Sequence, residues 1–519
     1  MDLSQDFASF DNPLEEVQYL NGEVPPFEPL TGLFGVADFC HYRALIGQVT
    51  ERLAQTLATR QHPSTSVTPR QLLDAFKQVD LDQPLGNFNA VLSELDELYL
   101  QHAILFHHPD YLAHLNCPVL DISLAAEQMA TAINTAVETW DQSAGGTWIE
   151  KSIINWLCRQ LGYPDTGDGV FTTGGSQSNL MALLQARERA NRKHGAGQDR
   201  EIPHDKLGQY RILCSADSHF SIQKAARLLG LGMDAVIQIP CDQQHRMDPR
   251  LLAEQLACLS AAQLIPIAVV ATAGTTDFGA IDPLPQIAEL CQQYDCHLHV
   301  DAAYGGALLL CEQQRHRLDG IWQADSVSLD FHKFAFQPIC CSALLVKNRR
   351  SLETLAYYAD YLNPLEGAGT GSPDLINKSL QTTRRLDALK LWVTLRATGA
   401  KTLGRMFEQL LATTKQVAAT MGQMADIELA LEPSLTTLVF RYLDPALDAS
   451  ALDQCNRHIR ARLAESGRAM VAATKVQGHQ YLKFTLLTPH TPVSSIEALL
   501  KDIVLLGKQD AIKQASQYR

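Results

Sequence analysis

His297-Leu298-His299-Val300-Asp301-Ala302-Ala303-Tyr304-Gly305-Gly306 is an apolar, strand-length run that ends on a carboxylate followed by small residues. One strand–helix unit later, Ser326-Val327-Ser328-Leu329-Asp330-Phe331-His332-Lys333-Phe334 is a second such run, ending on a lysine set between aromatics. Working outward, short β-rich runs recur at 169–172, 211–215, 267–272 and 342–346. Helical windows lie between several of them, at 178–193, 221–229, 249–259 and 283–294. Buried strands alternating with helices predict an α/β fold with a large, mostly parallel sheet covered on both faces. Polar, glycine-containing loops at the carboxyl ends of those strands place a ligand there.

Around this centre the pattern changes twice. A helical stretch, 125–140 and then 147–161, leads into the sheet region. Before it, 38–105 shows helical spacing broken by the polar, proline-containing 61–70, and the residues up to about Pro29 read as an arm. Past Pro373, helical spacing over 375–423, strand-like pieces at 436–442 and 480–486 and a final helix over 495–512 predict a smaller α+β domain. The expected division is 1–124, 125–374 and 375–519. A chain of 519 residues is too long for one simple core, and 46% hydrophobic with 19% charged residues is ordinary for a globular protein.

The formal charge of −14 argues against nucleic acid, which needs a basic face, and would steer a cationic substrate only weakly at physiological salt. Twelve scattered cysteines with no Cys-x-x-Cys pair, although Cys340 and Cys341 are adjacent, read as small buried residues of a reduced protein. The start of the chain shows no basic region followed by an apolar stretch, and the apolar runs are too short to span a bilayer. The expectation is a cytoplasmic protein with no membrane and no nucleic-acid partner.

Four strand ends carry the chemistry. Phe171-Thr172-Thr173-Gly174-Gly175-Ser176-Gln177-Ser178-Asn179 runs from a strand through a glycine turn into a helix. There, small residues and free N–H groups can seat a phosphate, although the same turn can be mere punctuation. It matches neither a Walker sequence nor a dinucleotide fingerprint. His219, in Ser215-Ala216-Asp217-Ser218-His219-Phe220, is either a capping histidine or an imidazole lying over a flat ring. Asp301, if buried, must have a partner. A protonated pyridine nitrogen would serve, and so would a metal, since His297, His299 and Asp301 share a strand face, though no further ligand cluster is visible. Lys333, bracketed by aromatics, stands where desolvation lowers an amine's pKa enough to make it nucleophilic, or is simply a surface lysine after a strand. Their occurrence together and in this order favours the functional reading of each.

With Ala273-Gly274-Thr275-Thr276 added, these motifs resemble the group II pyridoxal-phosphate-dependent decarboxylases, among them the aromatic amino acid, glutamate, histidine and diaminobutyrate decarboxylases. The resemblance runs from roughly Tyr111 to the C-terminus. It implies the fold type I aminotransferase architecture, a large sheet domain plus a smaller C-terminal one. It also implies a homodimer with sites at the subunit interface, to which 1–124 would contribute. Carried over motif by motif, Lys333 would hold pyridoxal 5′-phosphate as a Schiff base, Asp301 would pair with the pyridine nitrogen, His219 would stack on the ring and Ala303 would lie on its other face. Ser176, Gln177, Ser326 and His332 would contact the phosphate, with Ser328 on the same strand face as Ser326. Thr276 would sit near the ring's phenolic oxygen or the substrate carboxylate. The catalytic set is thus Lys333, His219 and Asp301.

The aromatic enzymes of this group protonate the product carbon with a loop tyrosine, where this chain has an apolar residue near Leu375. Tyr357, Tyr358, Tyr361 and His219 are the alternatives, and the Gly- and Pro-rich 361–373 reads as a lid. Residues 378–392 are similar to those of diaminobutyrate decarboxylases and of siderophore-pathway lysine decarboxylases. Residues 358–364, 474–485 and Phe336-Gln337-Pro338 resemble the lysine enzymes more. The substrate expected on this basis is L-lysine, giving cadaverine for hydroxamate siderophores, with L-2,4-diaminobutyrate second and ornithine a side substrate. A fold type I aminotransferase would share Asp301 and Lys333.

Overall fold

The computed structural model describes residues 33–35, 39–194, 204–365 and 373–517. The expected N-terminal arm lies outside them, as does 366–372 of the expected lid. The chain forms two compact units, one of 1–111 with 461–470, the other of 112–460 with 471–519. The first contains the helices Phe39–Thr59, Pro69–Phe76 and Phe88–Leu98. Thr68 starts the second of these with a capping box to Gln71.

In the second unit a seven-stranded sheet is built from β1 (Asp168–Thr172), β2 (Tyr210–Ser215), β3 (Val236–Ile239), β4 (Ile265–Thr272), β5 (His297–Asp301), β6 (Ser326–Asp330) and β7 (Ser342–Val346). The strand order is β1-β7-β6-β5-β4-β2-β3, and only β7 is antiparallel to its neighbours. Every residue of β5, β6 and β7 is buried, the signature of central strands covered on both faces. Covering helices include α1 (Asp121–Ile133), α2 (Gly145–Leu161), α3 (Gly175–His194), α4 (Ser221–Leu228), α5 (Pro249–Ala261) and α6 (Leu284–Gln293). Gly162, left-handed at φ 77°, ends α2, while Asp248 caps α5 ahead of Pro249.

The structure departs from the expected elements in three places. The helix expected over 125–140 is α1, which stops early because Asn134 turns left-handed at φ 55°. The helix expected from 375 begins only at α7 (Ala388–Ala397) and resumes as α8 (Ala400–Gly422) after Gly399, at φ 83°. Backbone bonds to the chain after α1 hold 375–384 out of α-helical form: Leu375 and Ile376 donate to Glu138 O, and Val137 donates to Arg384 O at 2.7 Å. Edge strand β3 was not expected; of the small-sheet strands β8 (Ile427–Leu429), β9 (Thr437–Tyr442), β10 (Met470–Val476) and β11 (His479–Thr485), β9 and β11 match the expected pieces, whereas β8 and β10 were not expected.

Residues 375–460 and 471–519 fall in the same compact unit as the large sheet. The Tyr304 hydroxyl, at the end of β5, accepts from Thr436 N–H at 2.9 Å. Lys483 Nζ on β11 donates to Thr276 O at 3.3 Å and pairs with Asp277 at 2.6 Å.

Candidate active site

The carboxyl ends of β1, β4, β5 and β6 open onto a cavity of about 340 Å³, a size suited to a small ligand. Ser176, Gln177, His219, Thr276, Asp301, Ala303, His332 and Lys333 line it, and Ser326 does not.

Lys333 belongs to the four-residue helix Phe331–Phe334 that turns the chain out of β6. Its Nζ lies 2.8 Å from Asp330 Oδ2. Burial works to lower this amine, but the carboxylates of Asp330 and Asp301 outweigh it and hold the group above the ordinary lysine range. The expectation that desolvation leaves the amine depressed is therefore corrected: two neighbouring negative charges decide the sign.

Asp301 is 6% exposed and fully engaged: Oδ2 accepts from the Asn179 amide at 2.8 Å, and Oδ1 from Ala303 N–H at 3.1 Å and Ser328 Oγ at 3.2 Å. Burial alone would raise its carboxyl. The Lys333 cation and the Asn179 amide lead the groups that hold it below the ordinary carboxylate range instead. Asn179 is itself part of a chain of bonds. His297 Nε2 lies 2.9 Å from Ser326 Oγ, Ser326 Oγ 2.9 Å from His299 Nδ1, and His299 Nε2 2.9 Å from Asn179 Oδ1. One set of proton positions satisfies every link: each imidazole is neutral and donates from Nε2, and Ser326 donates to His299. Burial, which pushes His299 down to about 4, keeps that ring neutral.

This chain explains the one site residue that the structure does not bring to the cavity. Ser326 lies at the far end of β6 from Lys333, with its hydroxyl held between two histidines, while Ser328 faces Asp301. Of the histidines that could have held a metal, His299 spends both ring nitrogens, on Ser326 and Asn179, and His297 spends Nε2 on Ser326; among the described residues there is no cluster of three candidate metal ligands.

His219 enters from the loop after β2. Its Nδ1 accepts from Ser221 N–H at 3.3 Å and lies 2.8 Å from Ser221 Oγ, which accepts from Asn179. The imidazole proton is thereby placed on Nε2, and burial lowers its pKa. The Gly174-Gly175-Ser176 turn starts α3; Gln177 and Ser178 N–H donate to Gly174 O at 3.0 and 3.1 Å, so of the first turn the N–H groups of Gly175 and Ser176 are the ones left to meet an anion. Gly175 stands at a close approach: a Cβ there would lie 3.2 Å from Asp330 Oδ2 and 3.5 Å from the Ala303 Cβ. The Gln177 carbonyl oxygen folds back to accept from Thr173 N–H at 2.9 Å and Thr173 Oγ1 at 2.8 Å. His332 Nδ1 lies 3.0 Å from Cys341 O, to which it can donate, and Nε2 lies 3.8 Å from Asp330. Thr276 follows Gly274, whose φ of 101° and close approach to Gly305 N admit no side chain.

Tyr357 and Tyr361 are 74% and 88% exposed, and with Tyr358 they do not line the cavity. Two residues given no role by sequence reasoning are central here: Asn179 and Asp330. Both stand inside quoted motifs, but their partners come from other strands and loops.

The cavity thus brings together a glycine turn at a helix start, the fixed carboxylate of Asp301, the small side chain of Ala303 and the amine of Lys333. These parts fit pyridoxal phosphate. A family profile described as the pyridoxal-dependent decarboxylase conserved domain matches residues 73–443. The chain is 38% identical over 432 residues to an L-2,4-diaminobutyrate decarboxylase of Acinetobacter baumannii, covering 82% of this chain and 84% of that protein. It is 41% identical over 414 residues to another from Rhizobium meliloti (strain 1021), covering 80% and 81%. It superposes with a TM-score of 0.83 and 35% identity on the crystal structure of the glutamate decarboxylase domain of diaminobutyrate-pyruvate transaminase and L-2,4-diaminobutyrate decarboxylase from Vibrio parahaemolyticus. That match covers 96% of this chain and 100% of the other.

Proposed function

The chain belongs to the pyridoxal-dependent decarboxylase family, with that family's fold type I architecture, its cofactor and amino acid decarboxylation as its reaction, and on that premise we propose that it acts on an L-diamino acid, first of all L-2,4-diaminobutyrate. The products would be 1,3-diaminopropane and carbon dioxide. The observation that carries the site assignment is the meeting of Lys333, Asp301, His219 and the Gly174-Gly175 turn in one cavity. For the substrate, the support is the two diaminobutyrate decarboxylases matched over four-fifths of the chain.

Lys333 would carry the cofactor covalently, Asp301 would pair with its ring nitrogen, and Ala303 and His219 would lie against its faces. Ser176, His332 and the glycine turn would hold its phosphate. When bound, pyridoxal phosphate supplies the sink for the electron pair left as carbon dioxide departs. The chain's own part is charge control and orientation. Asp301 stays ionised beside the Lys333 cation, with the Asn179 amide that donates to it fixed by the relay. His219 keeps its proton on Nε2, where it can hold a carboxylate and return a proton to the product carbon. Of the four groups considered for that return, His219 is the one on the cavity wall.

A site that recognises a distal ammonium would leave its buried acceptors unpaired against an aromatic side chain, so aromatic amino acids should be rejected strongly. L-Lysine is the second reading, supported by the likeness of 358–364, 474–485 and Phe336-Gln337-Pro338 to siderophore-pathway lysine decarboxylases. Chain length is the softer filter, roughly 1–3 kcal/mol per methylene. We also propose a homodimer. Its support is the exposed apolar set Ile122, Leu124, Met129, Ile133 and Trp148 on α1 and α2, which sedimentation at graded concentration would test. Comparing kcat/KM for diaminobutyrate, ornithine, lysine and tyrosine, with the amine identified by mass spectrometry, tests the substrate. Diaminobutyrate is expected to lead; a lead for lysine would replace it with the second reading, and a lead for tyrosine would end the diamino acid proposal.

A further inference from the structure

Three cations converge on one cleft outside the catalytic cavity. Arg457 and Arg460 stand one turn apart on the helix Ala449–Glu465, and Lys475 reaches the same space from β10. With Thr474 and Gln480 they line a cleft of about 390 Å³. All three are exposed, and among the described residues none has a carboxylate within 4.0 Å. In a chain with 57 acidic and 43 basic residues, such a cluster is the reverse of the average surface. The carboxylates nearby are engaged elsewhere. One oxygen of Asp453 accepts from Gln480 N–H at 2.9 Å and the other lies 3.5 Å from His479 Nδ1, while Asp277 is held by Thr474 and Lys483. Arg460 is fixed in place by its Nε, which donates to Val471 O at 3.1 Å, and its two terminal nitrogens have no partner among the described residues.

A guanidinium presents paired N–H donors that match a phosphate or a carboxylate, and the further cations favour a ligand of more than one charge. We propose that this cleft is a binding site, separate from the cofactor's, for a small multivalent oxyanion, a phosphate ester or a polycarboxylate, and that its occupancy acts on the catalytic cavity. Two short routes carry the second half. Thr474 Oγ1 donates to Asp277 Oδ2 at 2.8 Å, and Lys483 pairs with Asp277 Oδ1 at 2.6 Å. Lys483 also donates to the backbone oxygen of Thr276, a residue of the cavity wall, at 3.3 Å. On the other side, burial, Lys483 and Arg460 together lower the pKa of His114, which precedes Leu115 of the same wall. An anion that draws on Thr474 and neutralises Arg460 works through both routes. By linkage, it and the substrate then change each other's affinity by the same factor.

Pyrophosphate and citrate are the probes, titrated by calorimetry into the holoenzyme so that the cofactor's own seat is filled. The expected result is saturable uptake of one anion per chain, weakening as salt is raised. The tighter of the two probes tells a phosphate source from a carboxylate source. In Arg457→Gln/Lys475→Gln the affinity is expected to fall about tenfold or more, since two charge-assisted hydrogen bonds are lost. Arg457→Lys keeps the charge and should stay nearer the wild type. Both positions are exposed, so thermal unfolding of the variants should match that of the wild type. No saturable uptake by the wild type, or equal uptake by the double variant, would overturn the site. For the coupling, saturating anion should change KM by about twofold or more in the wild type and leave it unchanged in the double variant. An unmoved wild-type KM beside saturable binding would overturn that half alone. The binding readout needs no turnover, and the KM comparison uses whichever amino acid is decarboxylated best, so a wrong substrate assignment leaves both intact.

Discussion

Asn179 spends both protons of its amide, one on Ser221 Oγ at 2.9 Å and one on Asp301 Oδ2 at 2.8 Å, and so joins the histidine of the cavity wall to the carboxylate of its floor. Removing the charge of Asp301 while keeping its shape should separate binding from chemistry. Asp301→Asn is expected to lower kcat by several orders of magnitude and to weaken cofactor affinity far less; a near-normal kcat would make Asp301 structural. The relay needs a neutral His299, and this sets a pH dependence of stability. Its imidazole titrates near 6.5 when unfolded and at about 4 in the fold. The unfolded chain therefore binds the proton first as pH falls. This contribution is complete above about 6.5, declines below it and is gone by about 4, a loss on the order of 3 kcal/mol. Urea unfolding of the wild type and of His299→Gln at pH 7.5, 5.5 and 4.5 checks it: equal slopes against pH would remove the relay's neutral histidine. At this scale the sequence made the ionisable residues visible, because each ends an apolar run. It could not show Ser326 between two histidines, since strand alternation puts Ser326 and Ser328 on one face and leaves open which of them is nearer the ligand.

The strands β5, β6 and β7 were legible as elements because burial on both faces leaves a continuous apolar run, while β3 was not, being four residues long with Gln238 exposed at the sheet edge. The residues before α7 were misread for a different reason: their spacing is helical, but the backbone bonds to the chain after α1 and a buried ion pair at their end override it. Arg384, 5% exposed, meets Glu150 of α2 through two bonds of 2.9 and 3.0 Å, and Glu150 also accepts from Phe171 N–H at 3.1 Å. That pair ties the chain ahead of α7 to β1, the strand that delivers the glycine turn. Arg384→Met should strand a buried carboxylate and cost about 3–5 kcal/mol in urea unfolding, and adding Glu150→Met should recover part of the loss. A single variant within 1 kcal/mol of wild type would show the pair to be dispensable.

At the scale of the whole molecule, α/β class and a ligand at the strand ends followed from the alternation of runs, whereas the division into compact units did not. Pattern changes along a sequence report where secondary structure changes type, and 461–470 joins 1–111 by contacts that no local pattern marks. Met470 N–H donates to Asp110 O at 3.0 Å, and a Cβ on Gly467 would press within 2.8 Å of Ser64 O. The polypeptide therefore passes through this unit twice, once at its beginning and once about nine-tenths of the way along. A protease that cuts only near Tyr111 would sever one of two attachments. The expected result is two fragments on a denaturing gel but one undivided species on a native gel, and release of the N-terminal fragment by that single cut would show that the second passage holds nothing.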